Sequence, residues 1–477
     1  KQYEEAIASY DKAISLKTNA ALNWSNRGSA LDKLQRYDEA IASYEKALEH
    51  KSDYAEAWYN KGNTLDKLAR HEEALAAYKN SLHIRGDYVE AWVNGAAVLN
   101  EMKKYDQAII FCNNALRIEQ NFPEAWTNLG IAYKELKKYE ESLASCDKAI
   151  SIDPEYAQAW SNRGNVFHEL KKYEQALTFY NKAIDIKSDY AEAWSNRGNT
   201  LKELKRYQQA LASCDQAISI EPDYAEAWSN RGTVLTAMGL STLAETSYRE
   251  AIRLDPNYFE AHSNLLFALN YCESLTPQYV LSEAVLYGAK VSEISVPKFT
   301  EWSALRNVEK LKIGFVSGDI SNHPVGYFFE GLIEHIDVSQ FEIYAFPTVP
   351  VIDDLTNRVR PFFAEWVPIY GMSDLDAATL IHQKGIHVLI DLSGHTAHNR
   401  LPVFSYKPAP VQATWLGYFS TTGLPEIDYF LGDPHMSPIN EKNHFTEIIW
   451  NLTEAWLCLK PIDPEPLVSA LPALKNK

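Results

Sequence analysis

Small, aromatic and aliphatic positions recur along the first half of the chain at one fixed interval. Tryptophan stands at Trp24, Trp58, Trp92, Trp126, Trp160, Trp194 and Trp228, each 34 residues after the last, with His262 at the next step. Glycine follows at Gly28, Gly62, Gly130, Gly164, Gly198 and Gly232. Alanine recurs at Ala40, Ala74, Ala108, Ala176, Ala210 and Ala244 and again at Ala47, Ala115, Ala149, Ala183, Ala217 and Ala251. Small residues at constant offsets mark places where two helices cross closely, so the period predicts an array of helix pairs. One pair cannot bury its apolar face alone, and stacking of neighbours makes the continuous core. In the third unit Gly95 and Ala96 put the glycine one place early, and Ser81 and Ser142 replace alanines. No break in the stack is expected from these departures.

From about Tyr271 the 34-residue period disappears. Thr276 and Pro277 form an N-cap and first-turn proline, predicting an amphipathic helix to about Glu293, and Pro297 to Lys310 reads as a connector. Short apolar runs then alternate with helical stretches. Leu311–Ser317, Phe341–Phe346, Glu365–Ile369, His387–Leu392, Val411–Trp415 and Asp428–Leu431 are predicted strands; Val325–Ile336, Asp353–Phe363 and Ser373–Lys384 are predicted helices. Such alternation implies a parallel sheet covered on both faces.

Ligands of such sheets sit at the carboxyl ends of the strands, which directs attention to the loops beginning at Ser317 and Leu392. The first reads Ser317-Gly-Asp-Ile-Ser-Asn-His-Pro-Val-Gly326 and the second Asp391-Leu-Ser-Gly-His-Thr-Ala-His-Asn-Arg400. Each places a histidine at a strand-to-helix turn, the residue type that exchanges protons near neutral pH. His382 and His387 are read as helix-end and strand residues, with no third ligand to make a metal site. Neither dinucleotide nor P-loop glycine fingerprints occur.

The formal charge of −17 and the lack of a basic block argue against nucleic acid or an anionic membrane as partner. No apolar run is long enough to span a bilayer. Of the five cysteines, Cys112, Cys146 and Cys214 take the repeat position where Tyr44, Tyr78, Tyr180 and Tyr248 stand in other units. They read as core fillers, with Cys272 and Cys458 outside any disulfide or metal pattern, which favours a reducing, cytoplasmic setting.

The 34-residue unit resembles the tetratricopeptide repeat, with Pro154, Pro222 and Pro256 closing some units. A right-handed superhelix with a concave groove is the expected form. Within it Asn26, Asn60, Asn94, Asn128, Asn162, Asn196, Asn230 and Asn264 hold one repeat position that the motif's packing does not explain. One reading is a solvated position copied by duplication. The other is a ladder of amides facing an extended peptide, each able to donate to and accept from its backbone. Replacing Asn128, Asn162 and Asn196 by alanine is then expected to weaken peptide capture and leave folding intact. The adjacent Arg27, Arg163, Arg197 and Arg231 are read as solvated caps in preference to acidic-peptide contacts.

Ile313-Gly-Phe-Val-Ser-Gly-Asp-Ile-Ser-Asn-His-Pro324, Ile381-His-Gln-Lys-Gly-Ile-His387, Asp391-Leu-Ser-Gly-His-Thr396 and Lys407-Pro-Ala-Pro-Val-Gln-Ala-Thr-Trp-Leu-Gly-Tyr418 resemble the O-linked N-acetylglucosamine transferases and their plant SPINDLY-like relatives. The resemblance implies an α-solenoid of tetratricopeptide repeats over 1–270, a helical linker over 271–310, and over 311–477 an α/β Rossmann-like lobe, the first half of a GT-B glycosyltransferase. It implies transfer of N-acetylglucosamine from UDP-GlcNAc to Ser/Thr of proteins held in the groove, without a metal. His323 and His395 are the implied catalytic residues. Asp319, Asn322 and Thr396 are implied substrate contacts, and the asparagine column resembles a ladder in that family's superhelix. Phe419 and Ser420 depart from the proline and glycine common in relatives.

Alternatives stay open: a GDP-fucose-dependent protein O-fucosyltransferase, or a peptide-binding scaffold without catalysis. Tyr10 stands where a second helix's aromatic belongs, so the first unit is expected to be entered midway. The donor-binding lobe is expected beyond Lys477, and the chain as given is expected not to turn over.

Overall fold

The computed structural model describes residues 2–16, 20–272, 275–302 and 309–458, so parts of the expected connector and the end of the expected lobe lie outside the described residues. The chain forms two compact units, 1–222 and 223–477. In the first, antiparallel helix pairs form an α-solenoid, from Ala20–Lys33 with Tyr37–His50 through Ala191–Glu203 with Tyr207–Ile220. In the second, the pair Ala225–Ala237 and Ser241–Leu254 and the helix Phe259–Leu269 precede the sheet.

The periodic residues have identifiable work. A Cβ on Gly28 would lie 2.7 Å from Cε1 of Tyr44, and one on Gly164 the same distance from Cε1 of Tyr180. Glycine is therefore the hole into which the partner helix's buried aromatic fits. The third unit keeps this lock in a shifted form. Gly95 stands one place early and so does its aromatic, Phe111, whose Cε1 lies 2.7 Å from the position of a Gly95 Cβ. The two shifts compensate.

The tryptophans pin the loops between units. Indole Nε1 of Trp58, Trp92, Trp126, Trp160 and Trp194 donates to the carbonyls of Ser52, Gly86, Gln120, Pro154 and Ser188, each six residues upstream. Within each pair, the turn between helices uses a left-handed residue, at Gln35, Ala69, Lys103, Lys137, Lys171, Lys205 and Gly239. The arginines are not solvated caps. Nη1 of Arg27, Arg197 and Arg231 donates to Ser43, Ser213 and Ser247 on the second helix, and Arg163 pairs with Asp147. Arg27, Arg197 and Arg231 brace one helix of a pair against the other, and Arg163 ties its helix to the second helix of the preceding unit.

The second unit holds a seven-stranded parallel sheet: β1 Leu311–Ser317, β2 Phe341–Pro347, β3 Glu365–Trp366, β4 Val388–Asp391, β5 Val411–Thr414, β6 Tyr429–Gly432 and β7 Ile448–Asn451, in the order β3-β2-β1-β4-β5-β6-β7. Phe315 of β1 pairs with Ala345 and Ile390, and with Phe329, Ile333, Ile343 and Leu355 forms the core between sheet and helices. Thr276 caps the helix Pro277–Ile294 by accepting from the Tyr279 amide. The expected strand Glu365–Ile369 is only two residues long, because from Val367 onward its amides bond to the end of β2 without forming a ladder. The expected helix at 353–363 divides into Asp354–Val359 and a 3₁₀ turn, Arg360–Phe362, where Pro361 has no amide to continue the α-ladder. β7 and the helix Leu401–Ser405 were not anticipated. No helix among the described residues is long and apolar enough to cross a membrane.

Candidate active site

β1 and β4 are neighbours, yet the chain leaves β1 toward β2 on one side and leaves β4 toward β5 on the other. Their carboxyl ends therefore open a crevice at the switch point of the sheet, and the two polar loops line it.

After β1 the chain turns tightly. Ser317 Oγ accepts from the Asp319 amide at 2.9 Å, and Asp353 Oδ2 accepts from the Asn322 amide at 2.6 Å. A Cβ on Gly326 would stand 2.1 Å from the Ser321 carbonyl oxygen, so only glycine lets this loop fold onto the first turn of the helix Pro324–Ile333. His323 is that helix's N-cap. Its side chain is 46% exposed, and its Nδ1 accepts from the Val325 amide at 3.3 Å. That bond selects the neutral tautomer with hydrogen on Nε2, which leaves Nε2 as a donor facing solvent. Asp319 Oδ1 lies 3.7 Å from His323 Nδ1. Burial raises the Asp319 carboxyl above the usual range, and the nearby imidazoles of His323 and His398, when they carry a proton, oppose the rise. Asn322 is exposed beside them.

The loop after β4 is organised by a buried carboxylate. Asp391 accepts from the amides of Ser393 and Gly394 at 3.1 and 2.7 Å and from Thr414 Oγ1 at 2.8 Å. Burial nevertheless pushes it up to about 6, against the pull of those three donors. Gly394 has φ +54°, and a Cβ there would lie 2.3 Å from Cβ of Tyr418. Thr396 is half-buried and its hydroxyl donates to the Ser393 carbonyl at 2.8 Å.

His395 is placed differently from the expectation of a cleft-lining catalytic group. It is 1% exposed, Nε2 lies 2.9 Å from the Thr422 carbonyl and Nδ1 3.0 Å from Ser263 Oγ. The rings of Tyr287 and Tyr418 stand edge-on at 4.8 and 5.3 Å. With both nitrogens committed and burial pushing it down to about 3, the imidazole is a neutral internal strut. The residue that does reach the opening is His398, which the sequence reading passed over. It is exposed, has φ +61°, accepts from Thr348 Oγ1 on its carbonyl at 2.8 Å, and packs its Cβ 3.0 Å from where a Gly318 Cβ would stand. Nothing in the sequence separates His398 from His395. The turn through Gly394, with the Ser263 and Thr422 partners of His395, decides which of the two points inward.

The asparagine column is half-buried, with Asn162 at 6% exposure, and part of its hydrogen bonding runs between repeats. Nδ2 of Asn94 donates to Tyr59 and Asn63, Asn128 to the Val93 carbonyl, and Asn196 to Asn165. The amide of Asn162 has a buried Nδ2 without a protein partner. Alanine substitution therefore removes inter-repeat bonds as well as any peptide contact, which corrects the expectation that folding is untouched.

Residues 261–458 match the family model described as Glycosyl transferase family 41, and tetratricopeptide repeat models match 21–54, 123–156 and 191–224 among other stretches. The chain is 34% identical over 218 residues to a probable UDP-N-acetylglucosamine–peptide N-acetylglucosaminyltransferase SPINDLY of Solanum lycopersicum, covering 45% of this chain and 23% of that protein. A UDP-N-acetylglucosamine–peptide N-acetylglucosaminyltransferase of Caenorhabditis elegans is 34% identical over 148 residues, 30% of this chain and 13% of that one. Among solved structures, an O-GlcNAc transferase variant of Thermobaculum terrenum superposes with a TM-score of 0.60 at 31% identity, over 64% of this chain and 59% of that one. The chain thus spans less than a quarter of the length of these curated relatives.

Proposed function

We propose, for a chain that carries a glycosyl transferase family 41 domain behind tetratricopeptide repeats, a part in protein O-glycosylation: inverting transfer of N-acetylglucosamine from UDP-GlcNAc to Ser/Thr hydroxyls of proteins held by the repeats. The observation that carries the reading is the crevice between β1 and β4, where His323, Asp319 and His398 converge inside the segment matched by that family model. The names of the relatives, which carry N-acetylglucosamine, support that donor over GDP-fucose.

In this reading the lobe is one half of a GT-B enzyme working in the cytoplasm. The buried thiols of Cys112, Cys146 and Cys214 suit that compartment. The reaction needs an acceptor hydroxyl aimed at the anomeric carbon, removal of its proton, and stabilisation of the departing diphosphate. His323 Nε2–H is a fixed donor for a sugar or phosphate oxygen. Asp319, made more basic by burial, is the proton acceptor within reach of this face, and Asn322 and Thr396 contact the donor. His395 acts by position only. The half-buried members of the asparagine column bind the acceptor backbone. The test is transfer from radiolabelled UDP-GlcNAc to acceptor protein by the protein expressed from its full gene. His323→Ala is expected to lower kcat by roughly 10²-fold, the usual effect of removing a preorganised donor. Unchanged kcat in that variant, or transfer of fucose from GDP-fucose in place of N-acetylglucosamine, would overturn the reading.

A further inference from the structure

One element of the repeat pattern remains unexplained by peptide capture: the last unit, where His262 replaces the tryptophan that elsewhere pins a loop. His262 is 5% exposed and its ring stands edge-on to Tyr287 at 5.4 Å, while Tyr287 stands edge-on to His395. The helix Phe259–Leu269 has exchanged loop-pinning for contact with the sheet's loops. Two residues follow the same route. Asn270, just past its end, donates to the Tyr418 hydroxyl at 2.7 Å, and Ser263 meets His395.

The bonds at Ser263 form a directed chain. Asn399 Nδ2 donates to Ser263 Oγ at 3.5 Å. His395 Nε2 must donate to the Thr422 carbonyl, so Nδ1 is the acceptor and the Ser263 hydroxyl donates to it. His395 and Asn399 belong to the same short turn that carries Thr396 and His398. Ser263 thereby holds that turn at two points from one hydroxyl. The Thr348 bond to the His398 carbonyl is a further fixed point of the turn.

We propose that Ser263, on the helix that closes the 34-residue series, is a positioning residue for the transfer reaction: through His395 and Asn399 it sets the 395–399 turn, and with it the placement of His398 beside Asp319 and His323. The proposal rests on the functional reading above and adds to it that the last repeat helix supports the active-site turn from behind, through His395 and Asn399. Removing the hydroxyl leaves His395 Nδ1 buried without a donor, and the ring and its turn must shift to regain one. A displacement of that kind at a reacting group lowers turnover without changing what holds the acceptor.

The experiment uses the protein expressed from its full gene, with Ser263→Ala and Ser263→Thr. Transfer kinetics with UDP-GlcNAc and an acceptor protein give one readout. The ring ¹³C and ¹⁵N signals of His398 and His323, assigned by His398→Gln and His323→Gln, give the other. Ser263→Ala is expected to lower kcat about tenfold with acceptor KM unchanged, to move the His398 and His323 signals, and to be reversed by Ser263→Thr, which restores the hydroxyl. Wild-type kcat in Ser263→Ala, or a loss that Ser263→Thr fails to restore, would overturn the proposal. If the wild type transfers no sugar, the functional reading fails separately. The ring signals then decide: a shift at His398 in Ser263→Ala supports the positioning role, and unmoved signals refute it.

Discussion

Lowering the pH from 7 to 4 is expected to cost the unit formed by residues 223–477 about 4 kcal/mol of stability, with two buried imidazoles as the cause. Burial pushes His262 down to about 4 and His395 down to about 3, from an ordinary 6.5. For His395 the Thr422 carbonyl opposes the shift and His262 adds to it. Each ring stays neutral in the fold, whereas in the unfolded chain it binds a proton once the pH falls below 6.5. A base with a depressed pKa contributes its full stability above the unfolded value. Below that value it loses about 1.4 kcal/mol per pH unit until the folded value is reached. By pH 4 this is about 3 kcal/mol for each ring. Asp391 works in the opposite sense. Its pKa is raised to about 6 from 3.8, so as the pH falls through 6 the fold takes up a proton that the unfolded carboxylate does not, regaining about 2 to 3 kcal/mol by pH 4. The rings win. The assay is urea-dependent amide exchange of β4, corrected for the intrinsic pH dependence of exchange, in the wild type and in His262→Phe, which keeps a ring and cannot titrate. Between pH 6 and 4.5 the variant's stability is expected to fall by about one proton's worth less per pH unit, about 1.4 kcal/mol. Equal slopes in the two proteins would refute the assignment of this proton to His262.

Gly164→Ala is expected to destabilise the first unit by about 1 to 3 kcal/mol, since the new Cβ enters Tyr180 at 2.7 Å; Gly130→Ala, which faces the smaller Cys146 with Sγ at 3.2 Å, is expected to be near neutral, and thermal melts of the pair decide. Lys171→Gly relieves an exposed left-handed backbone at φ +58° and is expected to stabilise by about 1 kcal/mol in urea melts. Replacing Asn128, Asn162 and Asn196 together by alanine is expected to weaken acceptor-peptide binding, measured by fluorescence anisotropy. A stability loss of about 1 kcal/mol is expected for each inter-repeat bond removed; unchanged affinity sinks the ladder. Burial raises the Asp319 pKa, so the proposed proton acceptor is in its basic form above that pKa and activity is expected to fall as pH drops through it; the pH–kcat profile of Asp319→Asn is expected to lack that acid limb.

The repeats were legible because each unit solves the same local problem in the same residues. In most units an aromatic fits against a glycine, with a cysteine taking its place opposite Gly130 and Gly198, and an indole donates to the preceding loop at the 34-residue interval. The sequence alone also determined the alternation of strand and helix, the parallel sheet, and the two loops at strand ends, since these follow from hydrophobic period and turn chemistry. It did not determine β7, whose Ile448 and Trp450 are exposed at the sheet edge and so lack the buried run that marks a central strand. Nor did it distinguish the two histidines of the second loop. His395 and His398 lie three residues apart in equally polar surroundings, and what separates them is long-range: a left-handed Gly394 against Tyr418, a serine from a helix 132 residues earlier, and a carbonyl 27 residues later. Local pattern fixes which residues can meet water or core. Which of two like side chains takes a proton and which is sealed in the interior depends on partners distant in the chain, and those are brought together only by the tertiary fold.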